Sequence, residues 1–269
     1  MVSTIWLKTT CNLKFKTSEE TTFIFMLRPK SGHYQWISRE KYTIRPNIPV
    51  VEFTDTYGNL CQRLVAPKGT LHVNTSHTVK VPQKVEVAKG SPLTKICDIP
   101  ENVLTYLLPS RYCECDKLGN VAWEIAANTK PGYDQVLKIQ EWIKKKIAYV
   151  PGSSNFPLSA VEMCQENIGV CRDLAHLGIA LCRGLSIPAR IVVGYLNELV
   201  PMDLHAWFEA YINGQWYTFD ATQSKAKAGR VAIAYGRDAA DVAIFNQFGP
   251  MLEYSEMSVG VKLLRSPPR

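Results

Sequence analysis

The chain has 269 residues, of which 46% are hydrophobic and 20% charged, which is the composition of an ordinary globular protein with a sizeable core. This length suits one large domain or two modest ones. No apolar run approaches the roughly 18 residues that a membrane helix needs. The first residues, MVSTIWLKTTCNLKF, contain no uninterrupted apolar segment and no small-residue cleavage site. We therefore expect a cytoplasmic protein with no membrane partner.

The net charge of +7 is unevenly distributed. Residues 1–100 contain 14 Lys and Arg against 7 Asp and Glu, whereas residues 101–269 contain 17 of each class. The excess basic residues are scattered through strand-like sequence, and no nucleic-acid recognition motif accompanies them. We therefore expect no nucleic-acid partner.

The eight cysteines are even in number, which would suit a disulfide framework in an exported protein. A chain of this length needs no such covalent support, and no export signal is recognised, so we expect reduced thiols. Cys113 and Cys115 form a C-x-C pair with no second pair at metal-ligand spacing. The sequence therefore predicts no zinc site.

In chain order, residues 1–83 predict strands, because β-branched and aromatic residues alternate or cluster between turn signals. An antiparallel, sandwich-like β domain is the expected result. Residues 84–117 contain several prolines and no sustained period, which predicts a connector with short helical turns. Residues 118–269 begin with helical patterns and return to strands. The chain is therefore predicted to be an α+β protein with a β-rich domain, a connector and a second domain.

Two helices of the second domain have predicted starting points. Ser159 and Glu162 have the spacing of a capping box, which predicts a short helix after Ser159. The stretch NIGVCRDLAHLGIALCRG then predicts an apolar helix that begins at Cys171 and closes at Gly184. Backbone N–H groups and the dipole at a helix start stabilise a thiolate and bind an oxyanion. Buried cysteines that serve only packing are common, so position alone assigns no role to Cys171.

Two later strands, HAWFEAYI and QWYTFDAT, are separated by Asn213-Gly214, which is a strong hairpin signal. If these strands pair, His205 and Asp220 lie at the same open end, within hydrogen-bonding reach. Cys171, His205 and Asp220 would then be the nucleophile, general base and orienting carboxylate of a thiol enzyme. Taken singly, a strand histidine is more often structural and a strand-end aspartate more often forms a turn.

Other polar residues near these motifs fit structural roles. His176 lies on a different face of its helix from Cys171 and is expected to be a hydrogen-bonding residue within the helix packing. The segment GRDAADVA carries Arg237, Asp238 and Asp241. It either lines the cleft, supports the Asp220 strand or forms a polar loop, and the sequence leaves these alternatives open.

The motif blocks GVCRDLAHLGIALCRGLSIPARIVVGY and DLHAWFEAYINGQWYTFDAT resemble the transglutaminase-like superfamily of papain-type cysteine enzymes, especially its bacterial members with a β-rich N-terminal region. The resemblance implies a core of helices packed on an antiparallel sheet. It also implies Cys171 as nucleophile, His205 as general base and then acid, and Asp220 as the orienting carboxylate. Ala221 replaces a proline of many relatives, which should shift the local turn. No cofactor and no metal is implied, and the calcium dependence of some animal transglutaminases does not transfer.

Together these expectations predict a thiol-dependent acyl-transfer enzyme acting on a peptide or protein substrate. Water resolving the acyl-enzyme makes a protease or amidase, whereas a second amine makes a transglutaminase. We favour hydrolysis, because water is always present and no acceptor-lysine site is recognised. A non-catalytic interaction module and a redox or structural thiol at Cys171 are the alternatives. The sequence does not specify the oligomeric state.

Overall fold

Strands dominate the two ends of the chain and helices its middle. The structure is a computed structural model that describes residues 3–154 and 156–266. The strands are β1 (Thr4–Thr17), β2 (Thr21–Arg28), β3 (Trp36–Arg45), β4 (Val50–Thr54), β5 (Leu60–Ala66), β6 (Gly69–Pro82), β7 (Ala148–Tyr149), β8 (Ile168–Gly169), β9 (Ala189–Leu196), β10 (His205–Ile212), β11 (Gln215–Phe219), β12 (Arg230–Gly236), β13 (Phe245–Phe248) and β14 (Tyr254–Leu264). The α-helices are α1 (Glu101–Leu104), α2 (Cys115–Ala126), α3 (Tyr133–Lys146), α4 (Ala160–Glu166) and α5 (Cys171–Gly184), and 3-10 turns cover Ile96–Asp98 and Thr105–Leu107.

Two four-stranded antiparallel sheets are built mainly from the N-terminal strands. Their strand orders are β14-β1-β6-β3 and β13-β2-β5-β4. Along β1, buried Leu7, Cys11 and Phe15 alternate with exposed Lys8 and Lys14. The apolar face of the strand therefore meets the core and its basic face meets solvent. The β-rich N-terminal region expected from the sequence is confirmed.

The last two strands of the described chain complete these sheets. β13 pairs with β2, and β14 pairs with β1 from Trp6↔Leu264 to Lys16↔Tyr254. The domain division predicted from the sequence puts these strands in the segment 118–269, whereas their hydrogen bonds run to the N-terminal strands. We propose that the β-rich unit comprises residues 3–83 together with 245–264.

Helix α5 is the central helix of the second unit, and α2, α3 and α4 pack against it. At the start of α4, Ser159 and Glu162 form the predicted capping box. The Glu162 N–H donates to Ser159 Oγ at 3.3 Å, and the Ser159 N–H donates to the Glu162 carboxylate at 2.6 Å. On α3, Val136, Ile139 and Ile143 are buried at the spacing of one helix face. The apolar residues that recur at helical spacing in this segment therefore form the buried face of α3.

The sheet that lies against α5 has the strand order β11-β10-β9-β12. β10 and β11 form the predicted hairpin, in which Asn213 and Gly214 have φ angles of 48° and 83°. α5 approaches β10 so closely at Gly178 that a Cβ there would lie 2.6 Å from the Phe208 ring. The predicted α+β class, with helices packed on an antiparallel sheet, is confirmed.

Candidate active site

A cleft of about 440 Å³ opens where α5 and β10 begin. Cys171 is the first residue of α5, His205 is the first residue of β10, and both line this cleft. Charged Arg172 and Asp203 also line it. Much of the remaining wall is apolar, and includes Tyr149, Pro157, Leu199, Val242, Ile244 and Met257. The thiol and the imidazole therefore face one shared space.

Cys171 is held in place by a buried carboxylate in the first turn of its helix. Asp173 is fully buried and accepts hydrogen bonds from the Val170 N–H at 3.2 Å and the Leu158 N–H at 3.0 Å. Arg172 Nε donates to the same carboxylate at 3.1 Å. These bonds fix the approach to α5, and the free thiol of Cys171 is half-buried at the cleft. The Cys171 N–H, at the first helical position, has no intrahelical acceptor and is suited to bind an oxyanion.

His205 and Asp220 meet at the open end of the hairpin. The register pairs Phe208 with Phe219, and His205 Nε2 lies 2.8 Å from Asp220 Oδ2. His205 Nδ1 is buried and has no partner of normal hydrogen-bond geometry in the described part of the chain, yet the Cys171 thiol is near enough to favour the protonated ring. The structure thus brings together the three side chains singled out in the sequence.

Comparison with known proteins places this chain in a family. The family model of the transglutaminase-like superfamily matches residues 119–221, which include all three side chains. A crystal structure from Cytophaga hutchinsonii, described as a "putative cysteine protease", is 36% identical, with a TM-score of 0.88 over 99% of this chain and 93% of that chain. The chain belongs to the transglutaminase-like superfamily. An uncharacterized Mycobacterium leprae protein is 26% identical over 231 residues, or 81% of this chain and 82% of its own. The resemblance drawn from the motif blocks is confirmed.

In this transglutaminase-like core, Asp220 binds more than the histidine. Thr222 donates to Oδ1 from its N–H at 2.9 Å and from its Oγ1 at 2.7 Å. Arg230 Nη2 donates to Oδ2 at 2.7 Å, and Gln140 Oε1 accepts the Asp220 N–H at 2.7 Å. These three residues were not predicted from the sequence. The D-x-T spacing of an Asx turn was a local signal for Thr222, whereas Gln140 and Arg230 come from distant elements and left none.

The protonation of the pair follows from these contacts. Burial alone would lower the pKa of His205, but its hydrogen bonds and charge interactions with Asp220 and Cys171 outweigh burial and raise the pKa to about 9. Burial would raise the pKa of Asp220, yet the hydrogen bond from His205 and the charge of Arg230 hold it well below its usual range. At neutral pH the pair is therefore an imidazolium beside a carboxylate, which is the state that stabilises a neighbouring thiolate.

His176 connects two loops beside the cleft through hydrogen bonds to their backbones. Its ring is fully buried and stacked on Tyr112, with the ring centres 5.1 Å apart. Burial lowers the pKa of His176, so the ring is neutral. The Ala239 N–H donates to Nε2 at 3.1 Å, and Nδ1 donates to the Leu158 carbonyl at 2.8 Å. The expected structural role of His176 is confirmed.

The GRDAADVA segment contributes Ala239 and other small side chains to the cleft wall. Its charged residues tie the segment down. Asp238 accepts the Tyr112 N–H at 2.8 Å, and Arg237 forms an ion pair with Asp241 at 3.0 Å. Of the alternatives that the sequence left open, the structure shows that the small residues line the cleft. The charged residues hold the segment in place through the hydrogen bond to Tyr112 and the ion pair within the segment.

Groups of three or more His, Cys, Asp or Glu side chains placed to hold a metal ion are not found within residues 3–154 and 156–266. In the same described ranges, no helix combines the length and apolar character needed to cross a membrane. Cys113 and Cys115, the C-x-C pair, are both buried, and burial raises the pKa of each thiol.

Proposed function

We propose that this protein is a thiol-dependent acyl-transfer enzyme that hydrolyses peptide or glutamine-type amide bonds. The observation that carries the proposal is one cleft shared by the Cys171 thiol and the His205 ring, with that ring 2.8 Å from Asp220. Membership in the superfamily and 36% identity to a protein described as a "putative cysteine protease" support it. The cleft is open and largely apolar, so the expected substrate is a segment of a peptide or protein.

In the proposed first half-reaction, the Cys171 thiolate attacks the amide carbonyl carbon and a C–S bond forms. The Cys171 N–H stabilises the oxyanion. The His205 imidazolium donates its Nδ1 proton to the leaving nitrogen, the C–N bond breaks, and the amine departs from a thioester. Asp220 holds the ring by its bond to Nε2, which leaves Nδ1 directed to the reacting atoms.

In the second half-reaction, water attacks the thioester carbonyl while His205 accepts a water proton. The C–S bond then breaks, which releases a carboxylic acid and restores the thiolate–imidazolium pair. An amine in place of water would complete a transglutaminase reaction from the same intermediate. The superfamily match makes this the alternative to be tested.

A substrate screen separates these outcomes. We expect peptides from a library to be cut or deamidated by the wild type, as detected by mass spectrometry, whether or not a primary amine is added. Products that carry the added amine would show that an amine, rather than water, resolves the acyl-enzyme. Identical peptide profiles for the wild type and Cys171→Ala would contradict both activities and favour a non-catalytic interaction module.

A direct test of the Cys171–His205 pair measures the rate at which the Cys171 thiol is alkylated. At neutral pH, iodoacetamide should alkylate Cys171 at least about tenfold more slowly in His205→Ala than in the wild type, because the thiolate loses its imidazolium partner. Peptide mass spectrometry resolves each cysteine, and exposed Cys97 is the internal control. Equal rates at Cys171, with Cys97 unchanged, would indicate a thiol that reacts independently of His205.

We also propose that the enzyme works with reduced thiols in the cytoplasm. All of its cysteines are free, and burial raises the pKa of Cys113 and Cys182, which keeps these two as protonated thiols. Cell fractionation tests the location. Recovery of the protein outside the cytoplasmic fraction would contradict it.

A further inference from the structure

Arg230, the first residue of β12, shares a carboxylate oxygen with the active-site imidazole. Its Nη2 lies 2.7 Å from Asp220 Oδ2, the same atom that His205 Nε2 approaches to 2.8 Å. The side chains of Arg230 and Asp220 are only 10% and 6% exposed, so this contact is largely withdrawn from solvent. Two cations therefore share one buried anionic oxygen.

Hydrogen bonding of Arg230 is incomplete, which is unusual for an arginine whose side chain is only 10% exposed. Its Nε and Nη1 are buried and find no hydrogen-bond partner within residues 3–154 and 156–266. The guanidinium carbon lies 4.9 Å from the centre of the Trp207 ring. By contrast, buried Arg183 donates from Nε, Nη1 and Nη2 to backbone carbonyls. Unpaired buried donors cost stability, so packing alone does not account for Arg230.

We propose that Arg230 is a positioning residue that acts through the Asp220 carboxylate, orienting His205 and limiting how strongly the imidazole holds its proton. This inference rests on the proposed function. The two donor nitrogens are less than about 6 Å apart, because both bond to the same oxygen. A like charge at that range disfavours the charged form of a titrating group. The guanidinium therefore opposes the imidazolium that the carboxylate favours.

This balance suits both halves of the proposed reaction. The imidazole must hold a proton firmly enough to stabilise the Cys171 thiolate, and must still release that proton to the leaving nitrogen. Asp220 alone would favour the first requirement at the expense of the second. Arg230 also anchors the carboxylate from a separate strand, which restricts its rotation about the hydrogen bond to His205.

Other titratable groups face the pair from the elements packed around it. They are Cys171 on α5, Lys144 on α3 and Tyr149 on β7, and exposed Asp203 lies near Tyr149 in the loop before β10. Burial lowers the pKa of Lys144, which Asp220 opposes, and burial raises the pKa of Tyr149 to about 12. These groups are unchanged in variants at position 230, so a shift in those variants reports Arg230.

Neutral replacements of Arg230 test the proposal in the full-length protein. NMR titration of the His205 ring should give a midpoint about one pH unit higher in Arg230→Gln and Arg230→Met than in the wild type, because the opposing charge is gone. Arg230→Lys keeps the charge and should restore a midpoint near that of the wild type. The kcat for amide hydrolysis should fall in both neutral variants, because the carboxylate loses an anchor.

Arg190→Gln is the matched control. Arg190 also lies in this sheet, pairs with Glu209 at 2.7 Å and lies 4.0 Å from the centre of the Trp216 ring. Its carboxylate partner is Glu209 rather than Asp220, so its loss should leave the His205 midpoint unchanged.

Several outcomes would overturn the proposal. They are a folded neutral variant with the wild-type midpoint, an Arg230→Lys variant that behaves like the neutral ones, and an equal shift in Arg190→Gln. Failure of both neutral variants to fold would assign Arg230 to stability and would also overturn it. Failure of the proposed function is distinguishable, because it appears as equal alkylation of Cys171 in the wild type and His205→Ala.

Discussion

The carboxylate of Asp220 receives hydrogen bonds from His205, Thr222 and Arg230 at distances of 2.8, 2.7 and 2.7 Å. The hydrogen bond and charge of Asp220, together with Cys171, reverse the ordinary effect of burial on the imidazole, because a buried histidine without an anionic partner would lose its proton more easily. A difference in pKa between the folded and unfolded states is also a contribution to stability. The pair therefore links the proposed chemistry to the folding of the protein.

We expect the free energy of unfolding to depend on pH through His205. The pKa of this ring is about 9 in the folded protein and about 6.5 in the unfolded chain. Its stabilising contribution is complete below about pH 6.5 and is lost as the pH rises through about 9. Urea unfolding across this window should show a loss of up to roughly 3 kcal/mol.

Two aspartate variants control this measurement. Asp220→Asn removes the charge that favours the imidazolium, so the decline in unfolding free energy should flatten. Asp203→Asn removes an exposed carboxylate at the same cleft and should leave the decline in place. If the unfolding free energy of the wild type stays constant or rises between about pH 6.5 and 9, the raised pKa of His205 is refuted.

At the scale of elements, α5 and the β10–β11 hairpin position the candidate site. The sequence predicted a helix from Cys171 to Gly184 and a hairpin about Asn213-Gly214, and both are confirmed. The contact between them depends on Gly178, where α5 lies directly on Phe208. Helix periodicity identifies the apolar residues of α5 but does not specify which strand they meet.

Gly178→Ala should displace α5 from β10. The new Cβ would lie 2.6 Å from Phe208 Cε1, and Phe208 is buried and stacked on Phe219. Overpacking costs about 1–3 kcal/mol, and better helix propensity offsets up to about 1 kcal/mol of this. Urea unfolding should therefore show a net loss of about 1–2 kcal/mol. Amide hydrolysis should fall as well, because Cys171 and His205 separate.

Gly119→Ala is the control for helix propensity. Gly119 lies in α2, and a Cβ there would meet nothing within 4 Å. This variant should be as stable as the wild type or more stable, by up to about 1 kcal/mol. Equal stability changes in the two variants would show that the close approach at Gly178 does not set the helix position.

At the scale of the whole molecule, the candidate cleft depends on both units. Ile244 and Met257 line the cleft with Cys171, and Met257 belongs to β14, which pairs with β1. The end of the described chain thus passes the site before it completes an N-terminal sheet. The domain boundaries at 83 and 117 and the cytoplasmic location stay predictions.

Removal of β14 should weaken the protein and its activity together. A chain ending at Glu253 lacks this strand, so β1 becomes an edge strand with unpaired backbone groups. We expect Tm to fall by at least about 5 °C, and amide hydrolysis to fall because Met257 is lost from the cleft. A chain ending at Ser266 retains β14 and is the control. Equal Tm values for the two chains would contradict a role for β14 in stability.

Features that depend on neighbours along the chain could be predicted from the amino-acid sequence alone. These are the capping box at Ser159, the helix that begins at Cys171, and the hairpin that sets His205 beside Asp220. Three other features became visible only in the folded protein: α5 packs on β10, Arg230 contacts Asp220, and the last strands join the N-terminal sheets. Such contacts join residues far apart in sequence. They depend on how whole helices and strands pack together, and local propensity carries no information about that packing.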